Sequence, residues 1–144
     1  MKIIECPRDA MQGIKPFIPT ETKADYLNEF IQVGFDTVDF GSFVSPKAIP
    51  QMQDTGEVLE KLDLDQKRSH LLAIVANVKG TKNACSYEAI DYLGYPFSIS
   101  ETFQQRNTNR SIEDAFEDVK TIKQLCDDYG KTLVIYISMG FGNP

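Results

Sequence analysis

The chain has 144 residues, 42% of them hydrophobic and 25% charged, and carries a formal net charge of -6; this is the composition of one ordinary globular domain with enough length to bury one core. No apolar run approaches the roughly 20 residues needed to span a bilayer, and no basic flank with a long apolar stretch marks the N-terminus as a signal. The negative charge opposes a phosphate backbone and Lys67-Arg68 is too short a basic run for a nucleic-acid footprint, so neither membrane nor nucleic acid is expected as a partner.

In chain order, "KIIEC" (2–6) reads as a first strand, followed at once by Pro7, Arg8 and Asp9. Leu27, Phe30 and Ile31 then recur at helical spacing behind Thr20, a cap residue, and Gly34 supplies the stop. "TVDF" (37–40) is a second strand. The prolyl loop "GSFVSPKAIPQMQD" (41–54) follows it, kept extended by Pro46 and Pro50. Residues 54–62 and 79–87 can each hold a short helix around a third strand, "LLAIVA" (71–76). "IDYLGY" (90–95) is a fourth strand and "TLVIYIS" (132–138) a fifth. Between those two, "SIED" (111–114) resembles a capping box with Asp in the Glu position. It opens an apolar stripe of Ile112, Phe116, Val119, Ile122, Cys126 and Tyr129 that ends at Gly130.

Alternating strands and helices predict an α/β fold with a parallel sheet, because parallel neighbours need crossovers. The first strand-helix turn lacks G-x-G-x-x-G, and no Walker-type glycine loop occurs, which counts against a nucleotide-binding open sheet. In a (β/α) barrel the chemistry sits at the C-terminal ends of strands. Polar residues gather there: Arg8 and Asp9 after the first strand, Asp39 and Ser42 around the second, Asn77 after the third, Ser100 and Glu101 after the fourth, Ser138 after the fifth.

Arg8-Asp9 taken alone reads as a solvated ion pair. Just past a strand, the same two residues suit a joint role, with the carboxylate holding magnesium or manganese and the guanidinium stabilising an oxygen beside that metal. Asp39 is open between a strand residue on the solvent face and a site residue. His70, the lone histidine, reads as a strand-edge or surface residue and cannot build a nitrogen-rich zinc site by itself. Cys6, Cys85 and Cys126 are odd in number and share no close spacing, so they predict free thiols in a reducing compartment, the cytoplasm, rather than a disulfide framework. Cys85 and Cys126 read as apolar fillers, while Cys6 stands close enough to Arg8 to be noted.

The segments "ECPRDAMQ", "VDFGSFVSPKAIPQMQD", "ANVKG" and "SETFQQRNTNRSIEDAF", near-collinear from Ile3 to Pro144, resemble hydroxymethylglutaryl-CoA lyase of the DRE-TIM metallolyase superfamily. "SFVSPK..PQM.D" separates that lyase from the acyl-CoA condensing synthases, which share mainly the Arg-Asp element. The resemblance implies a TIM-type (β/α)8 barrel, of which residues 1–144 supply about the first five strands and four crossovers as the N-terminal part of a single domain. It implies metal-dependent cleavage of hydroxymethylglutaryl-CoA to acetyl-CoA and acetoacetate, with magnesium or manganese as the divalent metal and an acyl-CoA as substrate. It assigns Arg8 as catalytic, Asp9 as metal ligand, and Gln12, Asp39, Ser42 and Asn77 as substrate-binding, with no further cofactor. Asp39 stands where the family usually has glutamate, Ala10 where it commonly has glycine, and "SMGFGNP" carries none of the cysteines often found there. The family's His-x-His metal ligands and glycine-rich cysteine loop belong to the later half of the barrel. The expectation is therefore a fragment that is inactive alone, completed by a C-terminal half or by a homo-oligomer. A condensing synthase or aldolase of the same superfamily is the alternative among enzymes; a non-catalytic half-barrel that pairs or docks through its open edge is the alternative outside them.

Overall fold

The computed structural model describes residues 1–65 and 67–142; Asn143 and Pro144, the end of the "SMGFGNP" segment, lie outside them. Five strands, β1 (Ile4–Glu5), β2 (Thr37–Ser42), β3 (His70–Ile74), β4 (Tyr92–Ser98) and β5 (Thr132–Ser138), form one sheet in the order β1-β2-β3-β4-β5, every pair parallel. A doubly wound sheet reverses its order at a switch point. This one runs without reversal, as the wall of a barrel does. The helices α1 (Pro7–Gln12), α2 (Thr20–Val33), α3 (Thr55–Glu60), α4 (Val78–Cys85), α5 (Glu101–Thr108) and α6 (Ile112–Asp128) fill the crossovers. No helix among the described residues is long and apolar enough to cross a membrane.

Strand alternation divides the sheet into two faces. Val38, Phe40, Leu71, Ala73, Val75, Leu93 and Tyr95 join Leu27, Ile31, Val58, Leu59, Ala84, Ile122 and Cys126 of the helices in one buried core. The opposite face, the inner wall of the half-barrel, carries Asp39, Leu72, Ile74, Gly94 and Tyr136. A Cβ at Gly94 would come within 2.7 Å of Ile74 Cδ1 and 2.8 Å of Tyr136 Cε2, so the missing side chain is what lets these two close over β4. One extra residue on β2 shifts its register against β3 between Asp39 and Gly41.

Several expected boundaries move. The strand predicted at 90–95 runs instead over Tyr92–Ser98; just before it, the Asp91 carboxylate accepts from Lys67 Nζ at 2.7 Å and from the Leu71 N–H at 2.8 Å. Thr20 starts α2 rather than capping it and donates its hydroxyl to Asp54 at 2.8 Å. Gly34 ends that helix at φ 85°, in the left-handed region that suits glycine. On α6, Ser111 caps as expected by accepting from the Asp114 N–H at 3.0 Å. The buried stripe, however, runs through Ala115, Ile122 and Cys126, leaving Phe116 53% and Tyr129 58% exposed. The short helices α1 and α5 have no counterpart among the elements expected from the sequence.

The prolyl loop after β2 turns out to hold the fold together. Pro50–Met52 form a 3-10 turn. From it Gln51 accepts the Ile18 N–H at 2.9 Å and donates to the Ile14 carbonyl at 2.8 Å, fixing the segment between α1 and α2. Lys23, 2% exposed, donates to the Gln51 carbonyl and to Asp54 Oδ1 at 2.6 Å. A buried ion pair contributes little net stability over an apolar pair, but loss of one partner strands the other charge. Asp54→Asn is expected to cost about 3–5 kcal/mol of unfolding free energy in urea titration; a loss below about 1 kcal/mol would show that Lys23 does not need its partner.

Asp91 supplies a second check. Burial raises its carboxyl, but the bonds from Lys67 and the Leu71 amide outweigh that and hold it below the ordinary carboxylate range. The stabilisation is therefore present above the unfolded-state pKa and is lost as pH falls through the lowered one. Asp91→Asn is expected to flatten the acid side of the melting-temperature profile; an unchanged profile would place the acid sensitivity elsewhere.

Candidate active site

β1 ends at Glu5, Cys6 is the N-cap residue of α1, and Pro7 occupies the helix's first position, where its missing N–H costs nothing and its fixed φ suits a helix. The turn this starts carries Arg8 inward over β2. There the guanidinium meets Asp39, which has 0% residue exposure. Arg8 Nε donates to both carboxylate oxygens at 3.2 Å, and Nη2 donates to Oδ2 at 2.6 Å. Nη1 donates to Asp9 Oδ1 at 3.0 Å and to Gln12 Oε1 at 2.9 Å, while Gln12 Nε2 returns a bond to Asp9 Oδ1 at 2.8 Å. Arg8, Asp9 and Gln12 thus lock one another across a single helical turn. A guanidinium has five N–H donors; among the described residues these bonds leave one Nη2 hydrogen uncommitted.

Burial opposes charge on both members of the central pair. For Arg8, the bond to Asp39 and the attraction between them overcome that cost and raise its pKa further. For Asp39, burial prevails over Arg8 and raises the carboxyl above its ordinary value, so acid breaks the pair from the carboxyl side. The solvent-face reading of Asp39 is thus excluded. Asp9 is unlike Asp39: its side chain is 63% exposed, and both bonds it accepts fall on Oδ1. A free hard oxygen facing solvent suits a magnesium-type cation, which keeps much of its water. The fit is to one ligand only, because no group of three or more His, Cys, Asp or Glu able to hold a metal occurs among the described residues.

Arg8 and Gln12 open onto a cavity of about 1010 Å³ on the inner side of the sheet. Asn77 also lines it; its carboxamide caps α4 by accepting the Gly80 N–H at 2.8 Å. Ser42 does not reach the cavity: it is 2% exposed and its hydroxyl points to the Ile74 carbonyl. Asp39 likewise stands behind Arg8 rather than in the wall. Lys79, Arg106, Arg110 and Tyr136 line the cavity although the sequence alone does not mark them as site residues. With Arg8 they make four cations and a phenol, and among the described residues no carboxylate side chain lines the wall. Lys79 lies in the "ANVKG" segment and Arg106 and Arg110 in "QQRNTNR", so for these three the signal lies within motifs that carry the resemblance. Cys6 is exposed and Cys85 and Cys126 are buried, all three as free thiols.

No family model matches the chain. The mouse mitochondrial hydroxymethylglutaryl-CoA lyase is 30% identical over the whole of this chain, and a hydroxymethylglutaryl-CoA lyase of Bacillus subtilis is 30% identical over 96% of it. The chain spans 44% and 46% of those two relatives, less than half of either. Among solved structures, the Bacillus subtilis HMG-CoA lyase superposes with a TM-score of 0.91 at 30% identity, covering 99% of this chain and 48% of that one. An Acinetobacter HMG-CoA lyase in complex with coenzyme A and 3-methylmalate superposes with a TM-score of 0.89 at 28% identity, covering 98% and 46%. Over its whole length this chain has the sequence pattern and the five-stranded half-barrel of the N-terminal portion of the hydroxymethylglutaryl-CoA lyases.

Proposed function

We propose that the chain supplies the arginine-bearing half of a divalent-metal-dependent carbon-carbon lyase that cleaves hydroxymethylglutaryl-CoA to acetyl-CoA and acetoacetate. In this reading residues 1–144 are the N-terminal part of one barrel domain, since five strands fall short of the eight that close such a barrel. The observation that carries it is Arg8: fixed by Asp39, Asp9 and Gln12, it still faces the cavity with an N–H to offer. The free thiols fit the cytoplasm expected from the sequence.

The reaction breaks the bond between the hydroxyl-bearing carbon and the carbon next to the thioester. The hydroxyl loses its proton and becomes the ketone of acetoacetate. The electron pair of the broken bond passes to the thioester enolate, which a proton converts to acetyl-CoA. Negative charge therefore develops on the thioester oxygen, where a preorganised guanidinium is most effective. Arg8 is that group. Asp39 sets its angle from behind, while Gln12 accepts from its Nη1 and, lining the cavity, is placed to bind substrate. A divalent cation held through Asp9, magnesium or manganese, would polarise the hydroxyl oxygen when bound. Lys79 and Arg106, with Arg110 whose Nε is paired with Asp118 at 3.2 Å, give the cavity positive charge of the kind an acyl-CoA's phosphates require. The coenzyme A in the Acinetobacter structure supports extending that ligand class to this chain.

Position just past a strand end suggests that Arg8 can be replaced without disturbing the fold, but its bonds argue otherwise. Among the described residues Arg8 provides every bond that the buried Asp39 side chain makes. A neutral replacement would therefore strand a carboxylate, and Arg8→Lys is the better variant. In the full-length protein, Arg8→Lys is expected to lower kcat for acetoacetate release by about 100-fold or more, while a rate within about threefold of the parent would remove the mechanism. Asp9→Asn is expected to raise the magnesium concentration for half-maximal activity by about tenfold or more. An unshifted magnesium titration would take Asp9 out of the metal site. Acetyl-CoA with a 2-oxo acid should give no condensation product, which separates the lyase from the synthase alternative.

A further inference from the structure

Asp39 and Tyr136 present complementary needs on the inner wall. The Asp39 carboxylate is buried and, among the described residues, every hydrogen bond to it comes from Arg8. A carboxylate has roughly four acceptor positions, so its whole compensation depends on a group that the reaction also requires. Any turn of Arg8 that brings more than its one uncommitted N–H to a substrate oxygen weakens what holds Asp39. An uncompensated buried charge is among the costliest defects a fold can carry.

Tyr136 is the reverse case. Its hydroxyl is buried and has no hydrogen-bond partner among the described residues. Its ring lies over Gly94, where a Cβ would stand 2.8 Å from Cε2, and so extends along the inner wall of the half-barrel. It lines the same cavity as Arg8 and Gln12. Burial, reinforced first by Asp39 and then by Cys6, pushes its phenol up to about 12, so it remains a proton donor throughout the working pH range. An orphaned buried hydroxyl destabilises the state in which it is orphaned, and its retention on the same inner face as a singly supported carboxylate, in the cavity that Arg8 lines, calls for a second arrangement.

We propose that Tyr136 is a positioning residue whose hydroxyl becomes the donor to Asp39 when Arg8 shares its N–H groups with the substrate oxygen. The guanidinium can then be shared without baring the carboxylate, and Asp39 keeps its place behind Arg8. The hydroxyl keeps its proton throughout; one hydrogen bond is exchanged for another. The inference rests on the lyase reading for its consequence in turnover, but the exchange itself is a property of the fold.

The test uses Tyr136→Phe, which deletes only the hydroxyl, in the full-length protein and in two measurements. In melting experiments the variant is expected to equal or exceed the parent, because the lost group is unpaired there. In an Arg8→Met background, where Asp39 has lost its donor, the same change is expected to lower the melting temperature by about 3 °C or more. An equal effect in both backgrounds overturns the exchange. In turnover of hydroxymethylglutaryl-CoA, Tyr136→Phe is expected to reduce kcat about tenfold with KM within about twofold of the parent. A merely structural role would lower stability and leave that split unmoved, so unchanged kcat in a well-folded variant also overturns the proposal. If Arg8→Met does not fold, the kinetic split decides. If the parent shows no cleavage, the lyase reading fails and the melting cycle alone judges Tyr136.

Discussion

A carboxylate with no access to water must be answered by a donor, and among the described residues Asp39 is answered by Arg8 alone. Much of the local architecture follows from making that answer available. Arg8 must arrive immediately after β1, ahead of the crossover helix α2, and Pro7 starts the short helix that swings it over β2. The opposed effects of burial and pairing make the contact responsive: the guanidinium is held more firmly in its charge, and the carboxyl is the member that yields. Such a pair is a poor source of stability and a good source of angular precision, since a bidentate contact fixes both the direction and the tilt of the guanidinium plane.

The second buried pair serves a different end. Lys23 and Asp54, with Gln51 between them in sequence, join α2, the 3-10 turn and the segment following α1. None of the polar ends of these residues faces the cavity. The prolyl loop that most clearly marks the family resemblance thus spends its polar residues on anchoring the first crossover. Its motif is distinctive because three separate pieces of chain must meet in a dry place, where each polar atom needs a partner of its own. The loop also contributes Val44, Ser45, Ala48 and Ile49 to the cavity wall, so it both supports the site and forms part of it.

The parallel α/β character and the two long helices are legible in the sequence because their periodicity and stops act locally: Gly34 and Ser111 do in the structure what their positions imply. What is not legible depends on distant partners. Asp91 reads as the second residue of a strand, and nothing local shows that its carboxylate binds Lys67 and the Leu71 amide. Pro96 discourages extending β4, yet the strand continues through it. The helix α1 has only six residues, too few for a periodic signal. Around the site, Arg8, Asp9 and Gln12 are visible as neighbours in one motif, and Asp39 as an acid at a strand end. The burial of Asp39, and the turning of Ser42 away from the cavity, depend on how β2 is shifted against β3. Tyr136 is hidden most completely, since an aromatic residue in an apolar strand is the ordinary case and only the absence of a side chain at Gly94 gives it its course.

The lack of an acidic side chain in the described cavity wall has a consequence at longer range. The chain as a whole carries a net charge of -6, yet Arg8, Lys79, Arg106 and Arg110 all line this one opening. Arg8 is paired with Asp39 and Asp9, and Arg110 with Asp118 at 3.2 Å, so Lys79 and Arg106 carry most of the pull on an approaching anion and let charge discriminate before any contact is made. Salt at physiological strength confines that discrimination to about the last 8 Å of approach. Selection of the ligand by charge and selection by shape are therefore separate events in this half-barrel, one acting outside the mouth and the other within it.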